Sequence, residues 1–219
     1  ILNNNFAVKM KILWLDINSS YSHSSLAIPA LDAQLKEEVR AKNQWHIVSG
    51  TLKLDESWFT QRILDFSPNI ILSTLWLFNH NLTMEVLSKA HALNPSVRIF
   101  LGGPQFLGEN HTFLSNHKFV EAVFRGEGED IFNTFIDKIN ESSSYTAIEG
   151  FCSLDKNGRY LDRGEAQVQS FTTLNTPESS LFFAWEKPFV QLETSRGCFN
   201  RCAFCISGNY RKVEELEID

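Results

Sequence analysis

The sequence lacks several features, and each absence narrows the reading. No apolar run approaches the ~18 residues that a membrane-spanning helix needs. No N-terminal stretch has the long apolar core of a secretory signal. Basic residues are not in excess: 20 Lys and Arg stand against 26 Asp and Glu, a formal charge of −6. That balance leaves no footprint for a phosphate backbone, so neither nucleic acid nor a membrane is an expected partner. Cysteine is scarce, with four in 219 residues, three bunched and one alone. That is no disulfide framework, and a reducing cytoplasm is the expected compartment. The Gly-x-Gly-x-x-Gly fingerprint is missing after the first predicted strand, which disfavours a flavin or nicotinamide site of that kind. No internal repeat or low-complexity tract occurs.

What is present reads as an ordinary globular chain, 43% hydrophobic and 21% charged. Residues 1–9 read as a weakly ordered leader. From there, apolar runs alternate with amphipathic stretches. Strands are predicted at 11–16 (KILWLD), 45–51, 69–75 (NIILSTL), 97–101 and 119–124. Helices are predicted at 26–40, 56–66, 81–93 and 131–140, with a short helix or loop at 108–116. Such alternation implies right-handed crossovers and a parallel sheet covered on both faces. The expected class is α/β, a flavodoxin-like doubly wound five-stranded parallel sheet in the order 2-1-3-4-5, occupying residues 10–140.

After residue 140 the rhythm breaks. Residues 141–187 read as a hairpin and a connector. Asp155-Lys156-Asn157-Gly158 supplies the hairpin turn, and 163–187 is an extended connector packed on one side. A fresh strand at 188–193 (PFVQLE) opens a second unit, 188–219.

In an open parallel sheet, ligands bind beyond the carboxyl ends of the strands. Small and polar residues cluster there: Asn18, Tyr21 and His23 after strand one; Ser73, Thr74 and Leu75 after strand three; Gly102, Gly103 and Pro104 after strand four; Gly126 and Glu127 after strand five. Plainer roles stand beside these. His23 can be a helix-start residue, Glu127 and Glu129 ordinary partners of a helix N-terminus, and Cys152 a small core residue. His80 lies close enough to strand three to face the pocket, whereas His46, His91, His111 and His117 read as strand or surface residues. No catalytic acid or base is assigned.

The three bunched cysteines, Cys198, Cys202 and Cys205, have the spacing C-x3-C-x2-C. Three thiolates on one loop can hold three irons of a [4Fe-4S] cluster and leave the fourth iron open. Structural zinc would need a fourth ligand from a remote His or from Cys152. Buried core cysteines are a poor match for a loop flanked by Arg196, Asn200 and Arg201.

With Phe204 just before the last Cys, this loop resembles that of the radical S-adenosylmethionine (SAM) enzymes. The resemblance implies a [4Fe-4S] cluster whose open iron binds SAM and cleaves it to a 5′-deoxyadenosyl radical. It also implies a small-molecule or other substrate and an electron donor such as flavodoxin or ferredoxin. The stretch before it resembles the cobalamin (B12)-binding domain fused to such enzymes. Ser73-Thr74-Leu75 matches that family's Ser-x-Leu, Gly102-Gly103 its Gly-Gly, and Gly126-Glu127-Gly128-Glu129 its later Gly-Glu stretch. In that family the first two loops contain the cofactor's nucleotide tail or corrin edge. Asp16-Ile17-Asn18-Ser19-Ser20-Tyr21 departs from the Asp-x-His-x-x-Gly of the methionine-synthase type, so no lower imidazole ligand to cobalt is implied at that position, and His23 stands as a substitute ligand or a polar contact to the corrin. A methylthiotransferase relative is disfavoured, because its first domain carries three further cysteines. The chain stops fourteen residues after Cys205, so the second unit reads as the truncated beginning of a radical SAM domain, and the chain alone is expected to lack turnover. The alternative is a non-catalytic corrinoid- or nucleotide-binding module.

Overall fold

The computed structural model describes residues 9–139, 144–198, 200, 202–205 and 213–215. Most of the predicted leader, and Phe199 and Arg201 of the cysteine loop, lie outside them.

The core of the sheet is β1 (Met10–Asn18), flanked on both sides by parallel neighbours, β2 (Asn43–Thr51) and β3 (Ile70–Thr74). Ile12, Leu13, Trp14 and Leu15 are all buried, as a strand covered on both faces requires. Alternate side chains go to opposite faces. Leu13, Leu15 and Ile17 join Phe59, Ile63, Val86 and Leu87 under α3 (Glu56–Phe66) and α4 (His80–Leu93). Ile12 and Trp14 join Phe132, Phe135 and Ile136 of α6 (Glu129–Lys138) on the other face, together with Ile28 of α1 (Ala27–Ala33) and Val39 of α2 (Glu37–Ala41).

The sheet continues through β4 (Arg98–Gly102) and β5 (Ala122–Phe124), giving the predicted order β2-β1-β3-β4-β5 for its parallel part. The strand order reverses between β1 and β3. Two further strands, β6 (Phe151–Leu154) and β7 (Tyr160–Asp162), then add antiparallel at the β5 edge. The predicted hairpin is therefore part of a seven-stranded sheet rather than a linker beside it. Its turn is as read: the Gly158 N–H donates to the Asp155 carbonyl at 2.9 Å, and Gly158 has φ +78°.

Local signals set both ends of α3. Asp55 caps α3 by accepting from the Trp58 N–H at 2.9 Å. Ser67, left-handed at φ 53° before Pro68, ends it. A short helix, α5 (His111–Asn116), precedes β5. The predicted helix 26–40 is in fact two. It breaks at Leu35 and Lys36, where the Lys36 N–H donates to Asn133 Oδ1 at 2.9 Å. The break folds Arg40 back onto the buried carboxylate of Asp32 at 2.7 Å.

One expectation for the later part needs correction, that of a strand at 188–193. Residues 163–187, read as an extended connector packed on one side, are held by specific contacts. Ala166 forms a parallel bridge to Gly126, Gln34 and Asn175 exchange hydrogen bonds, and Ser180 Oγ donates to Asp32. Residues 188–193 form no strand; a two-residue β8 (Ser195–Arg196) forms instead, paired antiparallel with β9 (Glu214–Glu215). PFVQLE has no ladder partner among the described residues, and Phe189 and Leu192 are exposed. Among the described residues, no helix is long and apolar enough to cross a membrane.

Candidate functional site

Where strand order reverses, the loops at the carboxyl edge are stitched to one another. Asn79 does much of this. Buried behind the loop after β3, it accepts from the Trp76 N–H at 2.8 Å and donates to the carbonyls of Ile17 and Thr74, both at 3.1 Å. Nothing in the sequence singled it out, since an Asn before a helix is ordinary. The Leu75 N–H donates to the Gly102 carbonyl at 2.7 Å, tying this loop to the one after β4. Gly103 has φ +105°, and a Cβ there would lie 2.8 Å from the Leu75 carbonyl oxygen. The close approach of the two loops therefore requires glycine.

Gly102 is different. Its φ is ordinary, and an added Cβ would meet only Phe124 Cβ, at 3.9 Å. The protein does not need glycine there for its own packing. The space that Gly102 leaves belongs to a cavity of about 420 Å³ that runs from this edge down between the sheet and α6. Its wall is mainly apolar, with Trp14, Leu72, Phe100 and Phe132 below and Thr74, Trp76 and Gly103 near the opening. Ser73 also lines it, and its hydroxyl donates to the Leu15 carbonyl at 2.8 Å, leaving an oxygen lone pair as its remaining polar capacity.

Six of the eleven predicted binding residues line this cavity: Ser73, Thr74, Gly102, Gly103, Gly126 and Glu127. The other five are elsewhere. Leu75 is fully buried beneath its loop, and Pro104 opens a short turn away from the lining. Asn18 donates to Asp16 at 2.7 Å, Tyr21 lies under the Lys187 ammonium at 3.9 Å, and His23 hydrogen-bonds Ser20 at 2.8 Å and stacks on Phe189. His80 packs edge-on against Phe113 and is not in the lining. Cys152 is a buried core thiol, pushed up from its ordinary pKa chiefly by burial.

At the end of β1, burial raises the Asp16 carboxyl above the usual carboxylate value, against hydrogen bonds from Ser49 at 2.9 Å and Asn18. Gly126 is glycine because of the bridge to Ala166, whose carbonyl oxygen would sit 2.1 Å from a Cβ. Glu127 accepts from the Val168 N–H at 2.8 Å.

At the cavity rim stands Arg196, which sequence reasoning used only as a marker of polarity. Its guanidinium forks onto Glu193 at 2.9 and 2.7 Å, meets Glu129 at 2.7 Å, and lies 3.8 Å from Glu127. Burial works against the charge, but hydrogen bonds and the field of Glu193 and Glu129 prevail and raise its pKa. Gly197, at φ +105°, turns the chain from Arg196 into the cysteine loop. Cys198 is half-buried, Cys202 and Cys205 are exposed, and the Cys205 N–H donates to the Cys202 carbonyl at 3.0 Å. The donor set of three thiols suits an open-site iron–sulfur cluster, but among the described residues no three His, Cys, Asp or Glu side chains converge as a metal site. Ligand convergence in such loops is coupled to metal binding.

The sheet is Rossmann-like, and solved structures share its fold. The solved structure of the cobalamin-dependent SAM radical enzyme OxsB with aqua-cobalamin bound superposes with a TM-score of 0.75 over 95% of this chain and 30% of that one, at 20% identity. No family model matches the chain. Among curated proteins it is 27% identical over 182 residues to an uncharacterized methyltransferase of Pyrococcus horikoshii, covering 80% of this chain and 39% of that protein. It is 23% identical over 154 residues to the cobalamin-dependent radical SAM methyltransferase TokK of Streptomyces tokunonensis, covering 65% of this chain and 22% of that one. The chain thus spans well under half the length of these relatives.

Proposed function

We propose that this chain is the cobalamin-binding part, with the cluster loop attached, of a cobalamin-dependent radical SAM enzyme of the methyltransferase type. The observation that carries the reading is the apolar cavity opening between Thr74 and Gly102-Gly103, with Arg196 on its rim two residues before Cys198. The cavity suits a ligand with a flat apolar portion. Gly102 leaves room unused by the protein, and Ser73 offers an acceptor lone pair at the wall. Cys198, Cys202 and Cys205 would hold a [4Fe-4S] cluster with one iron free for SAM. When bound, the cluster supplies an electron for SAM cleavage and cobalamin supplies a methyl carrier. The chain's own residues bind and orient; none is assigned a proton-transfer role. A flavodoxin- or ferredoxin-type electron donor in the cytoplasm and a separate substrate complete the proposal.

The test is retention of cobalamin. Purified protein is incubated with hydroxocobalamin and passed through gel filtration. Red protein supports the reading, and colourless protein overturns it.

The exposure of Cys202 and Cys205 favours a second reading, a corrinoid-binding module without turnover. Formation of 5′-deoxyadenosine by the reduced, iron- and sulfide-reconstituted full-length protein separates the two.

A further inference from the structure

Arg196 is reached by four side chains from three separate parts of the chain. Glu193 lies three residues before it. Glu129 and Glu127 come from the start of α6 and the turn before it, and the Phe171 ring covers the guanidinium at 4.8 Å. The Phe171 N–H in turn donates to Glu214 at 3.0 Å, and Glu214 pairs with Arg196 across β8 and β9. The guanidinium's planar fork is engaged on one side: Nε and Nη2 grip both oxygens of Glu193, while Nη2 also serves Glu129. It is also only partly exposed to water, with Arg196 and Glu129 side chains 20% and 9% accessible. An ion pair so shielded is screened far less than one on an open surface.

The position gives this cluster its significance. Glu129, Glu193 and Arg196 form part of the cavity rim, and Gly197 turns the chain from Arg196 directly to Cys198. The described residues between 188 and 194 form no ladder with the sheet, so side-chain contacts hold the segment: Phe189 stacks on His23, and Arg196 ties it to the cavity rim through Glu129. We infer that Arg196 is a positioning residue: held by Glu129 and Glu193, it latches the cysteine loop to the rim of the cavity and so sets the distance between the two sites. The latch itself stands on geometry. Its meaning as a spacing device between cofactors rests on the function proposed above.

The chain's own thiols can report on the latch. Cys198 is half-buried beside it, Cys202 and Cys205 are exposed references, and fully buried Cys152 reports global opening. Modification by a thiol reagent, followed peptide by peptide by mass spectrometry, is compared for the wild type, Arg196→Met, Arg196→Lys and Glu129→Gln. The latch predicts about a tenfold faster reaction at Cys198 in Arg196→Met, with Cys152 still protected. Arg196→Lys should fall between, because an ammonium keeps the charge but loses the fork. Glu129→Gln should act in the same direction as Arg196→Met without touching the loop itself. An unchanged Cys198 rate overturns the inference. So does a parallel rise at Cys152, which would make Arg196 a general stabiliser only. Hydroxocobalamin retention by the wild type is scored separately: its loss removes the cofactor reading and leaves the latch to be judged on the thiols.

Discussion

Arg40 Nη1 donates to Asp32 Oδ1 at 2.7 Å, and Asp32 is fully buried. Arg40 Nη2 adds a bond to the Asp32 carbonyl, and Ser180 Oγ serves the other carboxylate oxygen. One interior carboxylate thus joins α1, α2 and the segment leading to the cysteine loop. Breaking a buried pair leaves its partner uncompensated, at a cost of about 3–5 kcal/mol. The Arg40 side chain keeps 18% exposure, which points to the low end. Arg40→Met should therefore lower the unfolding free energy by about 3 kcal/mol in urea titrations. Ser180→Ala, which removes one hydrogen bond, should cost about 1 kcal/mol. An unchanged urea midpoint in Arg40→Met would refute the assignment.

Adjacent glycines should respond in opposite ways. Gly103→Ala forces a side chain into φ +105° and toward the Leu75 carbonyl oxygen, so a loss of about 1–3 kcal/mol is expected. Gly102→Val meets no such obstacle but projects into the cavity. It should melt within a few degrees of the wild type while losing at least about tenfold in hydroxocobalamin affinity, roughly 1.4 kcal/mol. Visible-absorbance titration and thermal melts measure the two effects. Normal cobalamin binding by a folded Gly102→Val protein would detach Gly102 from the site.

The division between what the sequence revealed and what it concealed follows contact range. KILWLD and NIILSTL are apolar because both faces of β1 and β3 are covered, so their burial was legible from local composition. That Gly102-Gly103 and Ser73 line the cavity was legible because they stand at the carboxyl ends of parallel strands. The break at Leu35 was not, since residues 26–40 carry a continuous helical pattern and the cause lies in Asn133 and Asp32. Nor was the latch. Glu129 and Arg196 are 67 residues apart, and each has an unremarkable local reading: a first-turn acid and a polar flank of a cysteine loop. The predicted strand at 188–193 had the right composition but no partner strand among the described residues.

Asp16 should make stability depend on pH in a defined direction. Its folded-state pKa is raised above the ordinary 3.8, with burial the largest cause. A raised carboxyl binds its proton more tightly when folded, so its ionisation opposes folding. The penalty is absent below the unfolded pKa, grows as pH rises toward the raised folded value, and is complete above it. Asp16→Asn removes it. The variant should be more stable than the wild type at pH 7, with the difference shrinking as pH falls toward 3.8. Urea unfolding across that range measures it. A constant difference at all pH values would mean that packing, not ionisation, is what changed.

The four cysteines should separate cleanly by role. Cys198, Cys202 and Cys205 share one loop, while Cys152 is a core residue beside Asn110 Nδ2 at 3.9 Å. If three thiolates hold three irons, no thiolate is redundant, because each missing one leaves an iron without its protein ligand. Cys198→Ala, Cys202→Ala and Cys205→Ala should each abolish 5′-deoxyadenosine formation by the reduced, SAM-supplied full-length enzyme. None should lower the melting temperature appreciably, since Cys202 and Cys205 are exposed and Cys198 is only half-buried. Cys152→Ala should show the reverse pattern, with product formation retained and about 1 kcal/mol of stability lost from the cavity it leaves. Chromatographic assay of 5′-deoxyadenosine, set beside melting curves for all four variants, decides the matter. Normal product formation by Cys198→Ala would remove that residue from the cluster.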